Sequence, residues 1–275
     1  RDPRTFSSDK TEQFRPLFGD SALYEHHTTS LVFNDPPAHT RVRRAFGRAL
    51  SPAAVTAMTP WVKALIDSLL DDIAARREFD LVEDFAAAIP IEVIGRLLRI
   101  PDGERGPLRA WSLAILGALE FHMTPERFSE GNTAVIEFVD FLDRFVERRR
   151  VSLSDEEDDL LARLIRWEGA DGYRLTGAEL YHQVIFLLNA GHETTTNLIT
   201  NGVLALIDDP EQYALMRDAE GAAVDTAVEE LLRFEAPIQL NNRRTTCATV
   251  VGGMELAPGT NITLSIAGAN RDPSQ

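Results

Sequence analysis

Residues 189–197 read Asn189-Ala-Gly-His-Glu-Thr-Thr-Thr-Asn197, inside a stretch whose apolar periodicity predicts one long helix. Glycine costs up to about 1 kcal/mol against alanine in a helix interior, and threonine hydroxyls compete for backbone carbonyls. The flanks, 184–188 and 198–199, are apolar, so we expect the polar patch to lie inside the protein. Locally unfavourable residues at a buried place are typical of functional sites. A plain buried helix whose threonines bond to their own backbone is an equally open alternative.

The helical spacing of this patch favours a binding surface over a metal site. Ala190 and Gly191 share a helix face with Thr194, so a flat or small molecule can approach there. His192-Glu193 would begin a zinc-protease motif, but that motif needs a second histidine at position 196, where the chain has Thr196. We therefore predict no metal ligand in this stretch.

A second candidate is the stretch Asp35-Pro-Pro-Ala-His-Thr-Arg-Val-Arg-Arg44. Its two prolines set a helix start, and His39 and Arg43 then fall four residues apart on one face. Paired donors of this kind suit a carboxylate or phosphate ligand. Arg41, Arg44 and Arg48 extend the basic surface; a solvated cationic helix face is the alternative.

The remaining candidates lie near the C-terminal end of the chain. Glu230 and Arg233 are three residues apart and can pair on a helix, although such pairs are common. Arg243 and Arg244 add cations just beyond Pro237, where solvent exposure is the default. Each of these signals is weak alone.

Helix patterns dominate the first 235 residues, with caps at Ser51, Thr124 and Thr176. After Pro237, residues 244–251 and 261–266 favour strands, with turns at 252–253 and 258–259, which predicts a small hairpin. No repeat or linker interrupts the chain, so the fold class is mainly α with a small β hairpin in one domain, 1–275. The predicted helices cover 37–49, 52–76, 81–98, 104–121, 125–150, 155–167, 177–207, 210–218 and 221–234.

Composition removes several classes of function. Asp and Glu total 43 against 28 Lys and Arg, a net charge of −15, which leaves no overall positive field for a nucleic acid backbone. A single cysteine, Cys247, excludes an internal disulfide and favours a reducing compartment. No apolar window is long enough to span a bilayer, and the start at Arg1 has no signal-peptide pattern. We expect a cytoplasmic protein with no nucleic acid and no membrane partner.

Taken in this order, the motifs resemble the cytochrome P450 family of haem-thiolate monooxygenases, most closely its soluble bacterial members. The stretch from Asp35 resembles the family's helix C, Ala190-Gly-His-Glu-Thr-Thr195 its oxygen-binding helix I, and Glu230-Leu-Leu-Arg233 the Glu-x-x-Arg motif of its helix K. Further matches are residues 1–8, 237–240, Arg243 and 270–273. The resemblance implies a single partial domain that runs from the family's helix B region through helix K and the following hairpin.

The resemblance also implies residue roles around haem b. His39, Arg43 and Arg243 would hold the propionates, while Ala190 and Gly191 would let haem and oxygen lie against the helix. Thr194 would hydrogen-bond dioxygen, and Glu193 would relay protons to it. The Glu230 and Arg233 pair would be structural. The substrate would contact the loop from about Leu23 to Phe33, the region Trp111 to Phe121, and the positions Phe33, Phe186, Asn189, Ile238 and Leu240.

The family's iron ligand is a cysteine in a Phe-x-x-Gly-x-x-x-Cys-x-Gly loop, and the sequence contains no such loop. Cys247 has no glycine-rich flank, so we interpret it as a small core or strand residue and not as the ligand. We therefore expect a fragment, cut at both ends, of a monooxygenase that inserts one oxygen atom into an organic substrate. A non-catalytic helical binding or scaffold protein is the alternative.

The implied partners follow from the same resemblance. The protein would take electrons from NAD(P)H through a ferredoxin or flavodoxin, and the helix with Arg41, Arg44 and Arg48 would form part of the face that receives this donor. The substrate would be a small organic molecule of a class that the sequence does not identify.

Overall fold

The long helix predicted around residue 190 is present and lies at the centre of the fold. The structure is a computed structural model. It describes residues 2–120 and 122–274, without the side chains of Arg48 and Ala49. Arg1, Phe121 and Gln275, which belong to the stretches discussed above, lie outside the described residues. The helices are α1 (Thr11–Phe18), α2 (Ala22–Thr29), α3 (Ala38–Ala49), α4 (Pro52–Thr56), α5 (Thr59–Ala74), α6 (Ala88–Leu97), α7 (Leu108–Gly117), α8 (Pro125–Ser152), α9 (Leu160–Arg166), α10 (Gly177–Asp208), α11 (Pro210–Arg217), α12 (Ala222–Phe234) and α13 (Ile266–Asn270).

The predicted helix caps are confirmed. Ser51 and Thr124 each accept a hydrogen bond from the backbone N–H three residues later, and a proline follows each of them at the first helical position. Thr176 and Glu179 form a complete capping box at the start of α10. These local interactions explain why α4, α8 and α10 begin at the residues that the sequence predicts.

Two short helices at the start of the chain were not predicted. α1 carries Pro16 inside its last turn, and α2 begins at Ser21, whose side chain accepts from the N–H of Tyr24. Each has eight residues, too few for a clear apolar period. A 3₁₀ turn, Leu31–Phe33, follows α2 and leads to α3.

The predicted helix 81–98 is also interrupted. Leu81–Ala86 forms a π-helical turn capped by Asp80, and α6 begins only at Ala88. The predicted helix 52–76 is likewise divided between α4 and α5. In both places the apolar spacing continues across a local break, so the pattern alone reads as one helix.

The strands differ from the prediction in their pairing. β2 (Leu240–Thr245) pairs antiparallel with β5 (Asn261–Ser265), and β1 (Phe6–Ser7) adds to the other edge of β2. β3 (Thr249–Val251) and β4 (Met254–Leu256) form a separate hairpin across the predicted Gly252-Gly253 turn. The predicted strand 244–251 is therefore wrong as one strand, because its two halves belong to different sheets.

The hydrophobic core lies between α10 and the helices α2, α6, α7 and α8. Trp111 of α7 stacks on Phe138 of α8 with the ring centroids 4.8 Å apart. The N-terminal half of α10 contributes Leu180, Val184 and Ile185, which are all at most 1% exposed. Packing of this half fixes the orientation of the residues that follow it, 189–197.

Candidate functional site

The threonines of the 189–197 stretch bond to the backbone of their own helix. The Thr194 hydroxyl donates to the carbonyl oxygen of Ala190 at 2.7 Å, and Thr196 donates to that of His192 at 2.9 Å. α10 runs through the stretch without a break. The back-bonding of the plain-helix alternative is therefore present, and any functional role of Thr194 must use a hydroxyl that already has a partner.

Around the α10 helix, the exposure of this stretch changes from one face to the next. Asn189 and His192 are buried at 5% and 1% exposed, whereas Ala190 is exposed and Thr194 half-buried. A Cβ on Gly191 would lie 2.9 Å from Cδ1 of Ile94 in α6. Gly191 thus permits close packing of α10 on α6, while Ala190 presents a small side chain on an open face. The expectation of a wholly internal patch is wrong for Ala190.

Glu193 lines a cleft of about 710 Å³ together with side chains of α7, α8 and the connection between them, among them Glu120, Arg127 and Glu130. Burial, and secondly the negative charge of Glu120, raises the pKa of Glu193 above that of an ordinary glutamate. Arg127 pairs with Glu120 in the same cleft. The carboxyl of Glu193 therefore binds a proton more readily than a solvated carboxyl does. The cleft gives it a route to solvent.

His192 is a buried polar residue without a described partner. Neither ring nitrogen makes a hydrogen bond, and the side chain faces the region of Arg109 in α7. Burial, and secondly the charge of Arg109, lowers the pKa of His192 to about 4. A neutral imidazole at this place cannot act as the cationic donor that a free histidine provides at mildly acidic pH.

The predicted anion-binding residues lie at the start of α3 and on β2. His39 is half-buried in the first turn of α3, and Arg43 is exposed one turn later. Arg243 is half-buried on β2, where its Nη1 donates to Oδ1 of Asn241 at 2.8 Å and to the carbonyl oxygen of Asn242 at 2.7 Å. His39 and Arg43 thus remain accessible on α3, whereas Arg243 is bound to neighbouring residues of its own strand.

Sequence reasoning missed a fourth cation in this region, Lys10. It is only 7% exposed, and burial, followed by the charges of Arg243 and Arg244, lowers its pKa. Asp35, four residues before His39, acts on Lys10 in the opposite direction. The pairing of Ser7 with Arg244 across β1 and β2 brings the two segments together. Because that pairing joins residues 237 positions apart, no local signal announces it.

Arg41 has a structural role that the sequence does not predict. Its guanidinium lies 4.0 Å from the ring centre of Tyr173 and pairs with Glu179 at 3.2 Å. The Tyr173 hydroxyl donates to the same carboxylate. Arg41 therefore ties α3 to the start of α10, while its side chain stays 38% exposed, so its part in receiving a redox partner stays a prediction. Arg44 is exposed, and the side chain of Arg48 lies outside the described residues.

The predicted structural pair is formed. Arg233 makes two hydrogen bonds to the carboxylate of Glu230, at 2.6 and 2.7 Å, and its Nη1 donates to the carbonyl oxygen of Asn270 at 2.7 Å. Arg271 in turn donates to the carbonyl oxygen of Phe234. These contacts hold the end of α12 against α13 and the residues after it.

The predicted substrate positions do not all lie on one surface. Phe33 is half-buried, and its ring centre lies 5.2 Å from that of Phe14, while Phe186 is half-buried against the core. Asn189 is buried, and its Oδ1 has no partner. Ile238 and Leu240 are exposed at 51% and 43%. Exposed apolar side chains also occur in the other two predicted substrate regions, at Val32 and Leu113, which are 44% and 42% exposed.

Cys247 is exposed in the bend between β2 and β3. The interpretation of this residue as part of the core or of a strand is wrong, because the chain leaves β2 at Thr245 and begins β3 only at Thr249. In the described part of the chain, no group of three or more His, Cys, Asp or Glu side chains is arranged to hold a metal ion.

Comparison with known proteins identifies the family. The model of the family "Cytochrome P450" matches residues 113–220. The cyclomarin C epoxidase CymV of Salinispora arenicola is 37% identical over 273 residues, which cover 98% of this chain and 67% of the epoxidase. The chain belongs to the cytochrome P450 family. The cytochrome P450 monooxygenase PikC of Streptomyces venezuelae is 35% identical over 277 residues, 100% of this chain and 63% of PikC.

The solved structure of CalO2 confirms the cytochrome P450 fold. It matches with a TM-score of 0.90 and 28% sequence identity, covering 100% of this chain and 68% of CalO2. The structure of P450BioI with a ligated acyl carrier protein matches with a TM-score of 0.85, 28% identity and 92% coverage of this chain, which is 64% of P450BioI. The chain thus spans about two thirds of the length of the relatives it matches. Within its described residues, no helix is both long and apolar enough to cross a bilayer.

Proposed function

We propose that this cytochrome P450 is a haem-dependent monooxygenase that inserts one atom of O2 into a small organic substrate. It takes two electrons from NAD(P)H through a ferredoxin or flavodoxin, and its place is the cytoplasm. Four relatives support this proposal by their names: a monooxygenase, an epoxidase and the hydroxylases of 6-deoxyerythronolide B and vitamin D(3). The observation that carries it is the stretch 190–194, which combines a small exposed side chain, a hydroxyl and a carboxyl with a raised pKa.

The residues present fit haem b in their donor chemistry and in their shape. Ala190 lies exposed between the buried neighbours Asn189 and His192, so a planar ring can approach the helix there. His39, Arg43 and Arg243 are donors suited to propionates, and we propose Lys10 as a further donor near them. When bound, haem with a thiolate ligand supplies the oxygen activation. Cys247, exposed beside the β3–β4 hairpin, is not proposed as that ligand.

The protein's own residues would manage the proton. Glu193 takes a proton from solvent through the cleft beside Glu120 and gives it up less readily than a solvated carboxyl, because burial raises its pKa. To pass a proton on, the Thr194 hydroxyl would turn its own proton from the carbonyl of Ala190 toward the oxygen substrate, while its Oγ1 accepts the replacing proton from the Glu193 side. The Glu230 and Arg233 pair supports the fold and takes no part in the chemistry.

The test is the carbon monoxide difference spectrum of the reduced protein, expressed from its whole reading frame. We expect the band of a thiolate-ligated haem and, with a ferredoxin and its reductase, NAD(P)H-dependent oxidation of a bound substrate. Cys247→Ser is the matched control and should leave the spectrum unchanged. Absence of the band in a folded protein would contradict the proposal and favour a non-catalytic helical protein.

A further inference from the structure

Three histidines meet in the core, away from the candidate site. His26 and His27 belong to α2, and His182 to the second turn of α10; they are 2%, 1% and 4% exposed. The ring centre of His26 lies 5.1 Å from that of His27 and 5.6 Å from that of His182. We call these residues the histidine cluster. It joins α2 directly to α10.

The surroundings of the cluster are apolar. The ring of His27 lies against those of Phe14, Phe18 and Phe33, at centroid distances of 5.7, 5.2 and 6.0 Å. Nδ1 of His26, Nε2 of His27 and Nδ1 of His182 are buried and make no hydrogen bond. Each imidazole therefore keeps at least one nitrogen without a polar neighbour that could stabilise an added proton.

Gln183 clamps the same segment to α10. Its side-chain carbonyl accepts from the N–H of Leu31 at 2.9 Å, and its amide donates to the carbonyl oxygen of Thr29 at 2.6 Å. The Asn34 amide closes the turn by donating to the carbonyl oxygens of Thr28 and Ser30. Residues 22–33, which we call the strap, are thus held on α10 by two polar contacts and by the histidine cluster.

Few charged groups face the cluster. Glu25 of the strap acts on His182 and favours its protonated form, but less than burial opposes it. On the α1 side, Arg15 lies over the Tyr24 ring and pairs with Asp20. From α8, the neutral side chain of Asn132 approaches the strap, and its Oδ1 accepts a hydrogen bond from the N–H of Leu23.

The α10 side adds no free carboxylate. Glu179, one turn before His182, is occupied by Arg41 and Tyr173. Burial lowers the pKa of His182, and burial together with the neighbouring imidazoles lowers that of His26 and brings that of His27 to about 3. The buried cluster is therefore neutral at mildly acidic pH, where solvated histidines are charged.

We propose that the histidine cluster is an acid-sensitive latch, which holds the strap on α10 while its imidazoles are neutral and releases the strap when they take up protons. Release exposes the imidazoles to water, where they regain ordinary proton affinity. The opening itself is independent of the proposed monooxygenase function. Its consequence for substrate entry rests on that function, because the strap coincides with the predicted substrate loop.

Acid should favour the open state, because burial lowers the pKa of all three histidines in the closed state. The closed state binds fewer protons than the open state between the lowered pKa values of the cluster and about pH 6.5, so opening becomes easier as the pH falls through about 6.5. From about pH 7.5 to about pH 5.5, each histidine that gains a proton on opening shifts the equilibrium about tenfold. Full release of all three histidines gives at most about a thousandfold.

Amide hydrogen exchange of the 275-residue chain at these two pH values tests the latch. After correction for the pH dependence of the chemical exchange rate, protection of strap amides should fall by between about tenfold and about a thousandfold at the lower pH. Amides in the middle of α8 should remain better protected than the strap at both values. His182→Gln and His27→Phe should each reduce the pH effect, by up to about tenfold, since each removes one titrating group.

His122→Asn is the matched control, because His122 is exposed and lies outside the cluster. It should leave the pH dependence of the strap unchanged. Strap protection that is independent of pH would overturn the proposal. Opening free energies equal to those of α8 would also overturn it, because the strap would then open only with the whole protein. If neither cluster variant folds, the comparison of strap and α8 in the unaltered chain decides alone.

Discussion

Thr194 and Glu193 are adjacent in sequence but point into different surroundings. The Thr194 hydroxyl is bound to the carbonyl of its own helix at 2.7 Å, whereas the carboxyl of Glu193 faces the cleft between α7 and α8. A helix places consecutive side chains about 100° apart, so one residue can face solvent while the next faces the site. This separation suits a relay in which one residue collects a proton and the other delivers it.

Removal of the Thr194 hydroxyl should separate substrate binding from oxygen chemistry. In Thr194→Ala, we expect substrate affinity to survive and electrons to be diverted to peroxide, since general acid assistance contributes about a hundredfold or more. The measurement is product and peroxide formed for each NAD(P)H consumed.

Thr200→Ala is the control for this prediction. Thr200 lies on the same helix and makes the same kind of bond, to the carbonyl oxygen of Thr196 at 3.0 Å. Its loss should leave the product yield unchanged. Equal yields from Thr194→Ala and the unaltered enzyme would remove Thr194 from the mechanism.

Some residues of the candidate site could be predicted from the sequence, and others could not. The roles predicted for Ala190, Thr194 and Glu230 come from the family resemblance and stay predictions; the structure places these residues in α10 and α12, the helices that the sequence predicts. Arg41 and Lys10 were beyond reach, because the partner of Arg41 is 138 residues away and Lys10 is buried by a pairing between chain ends. Local patterns carry no information on such contacts.

At the scale of elements, α10 and α6 meet at a glycine. Gly191→Ala should lose part or all of the gain in helix propensity of up to about 1 kcal/mol, because the end of the Ile94 side chain must shift to admit the new Cβ. The added Cβ would lie 2.9 Å from Cδ1 of Ile94, an atom that Ile94→Val removes. The double variant should therefore recover the loss. Urea denaturation gives the free energies of unfolding.

Gly47→Ala is the matched control in α3. A Cβ on Gly47 meets no atom within 4 Å, so only the gain in helix propensity remains and stability should rise by up to about 1 kcal/mol. If Gly191→Ala stabilised the protein as much as Gly47→Ala, the close packing of α10 on α6 would have no energetic weight.

Elements with strong local signals were predictable, and those set by tertiary pairing were not. The capping box at Thr176 and the proline at the start of α8 located the first residues of those helices. By contrast, residues 244–251 have uniform strand propensity, and only the pairing of β2 with β5 shows where one strand ends. Propensity describes a segment, whereas pairing depends on its partner.

At the scale of the whole molecule, buried neutral histidines make the fold sensitive to acid. The unfolded chain takes up protons on these residues below about pH 6.5, while burial keeps the pKa of His27 at about 3 and that of His192 at about 4. The free energy of unfolding should therefore decrease as the pH is lowered, by up to about 1.4 kcal/mol per pH unit for each such histidine. Urea unfolding at about pH 7 and about pH 5.5 measures this; identical free energies would show that these residues stay solvated.

The chain offers one thiol, and the fold leaves it accessible. Cys247 is the single cysteine of the sequence and is exposed in the bend before the β3–β4 hairpin. A maleimide dye or a nitroxide spin label will therefore attach once to this 275-residue chain without any engineered cysteine. Fluorescence or electron paramagnetic resonance from that label can follow the sheet region against a second probe placed elsewhere in the molecule.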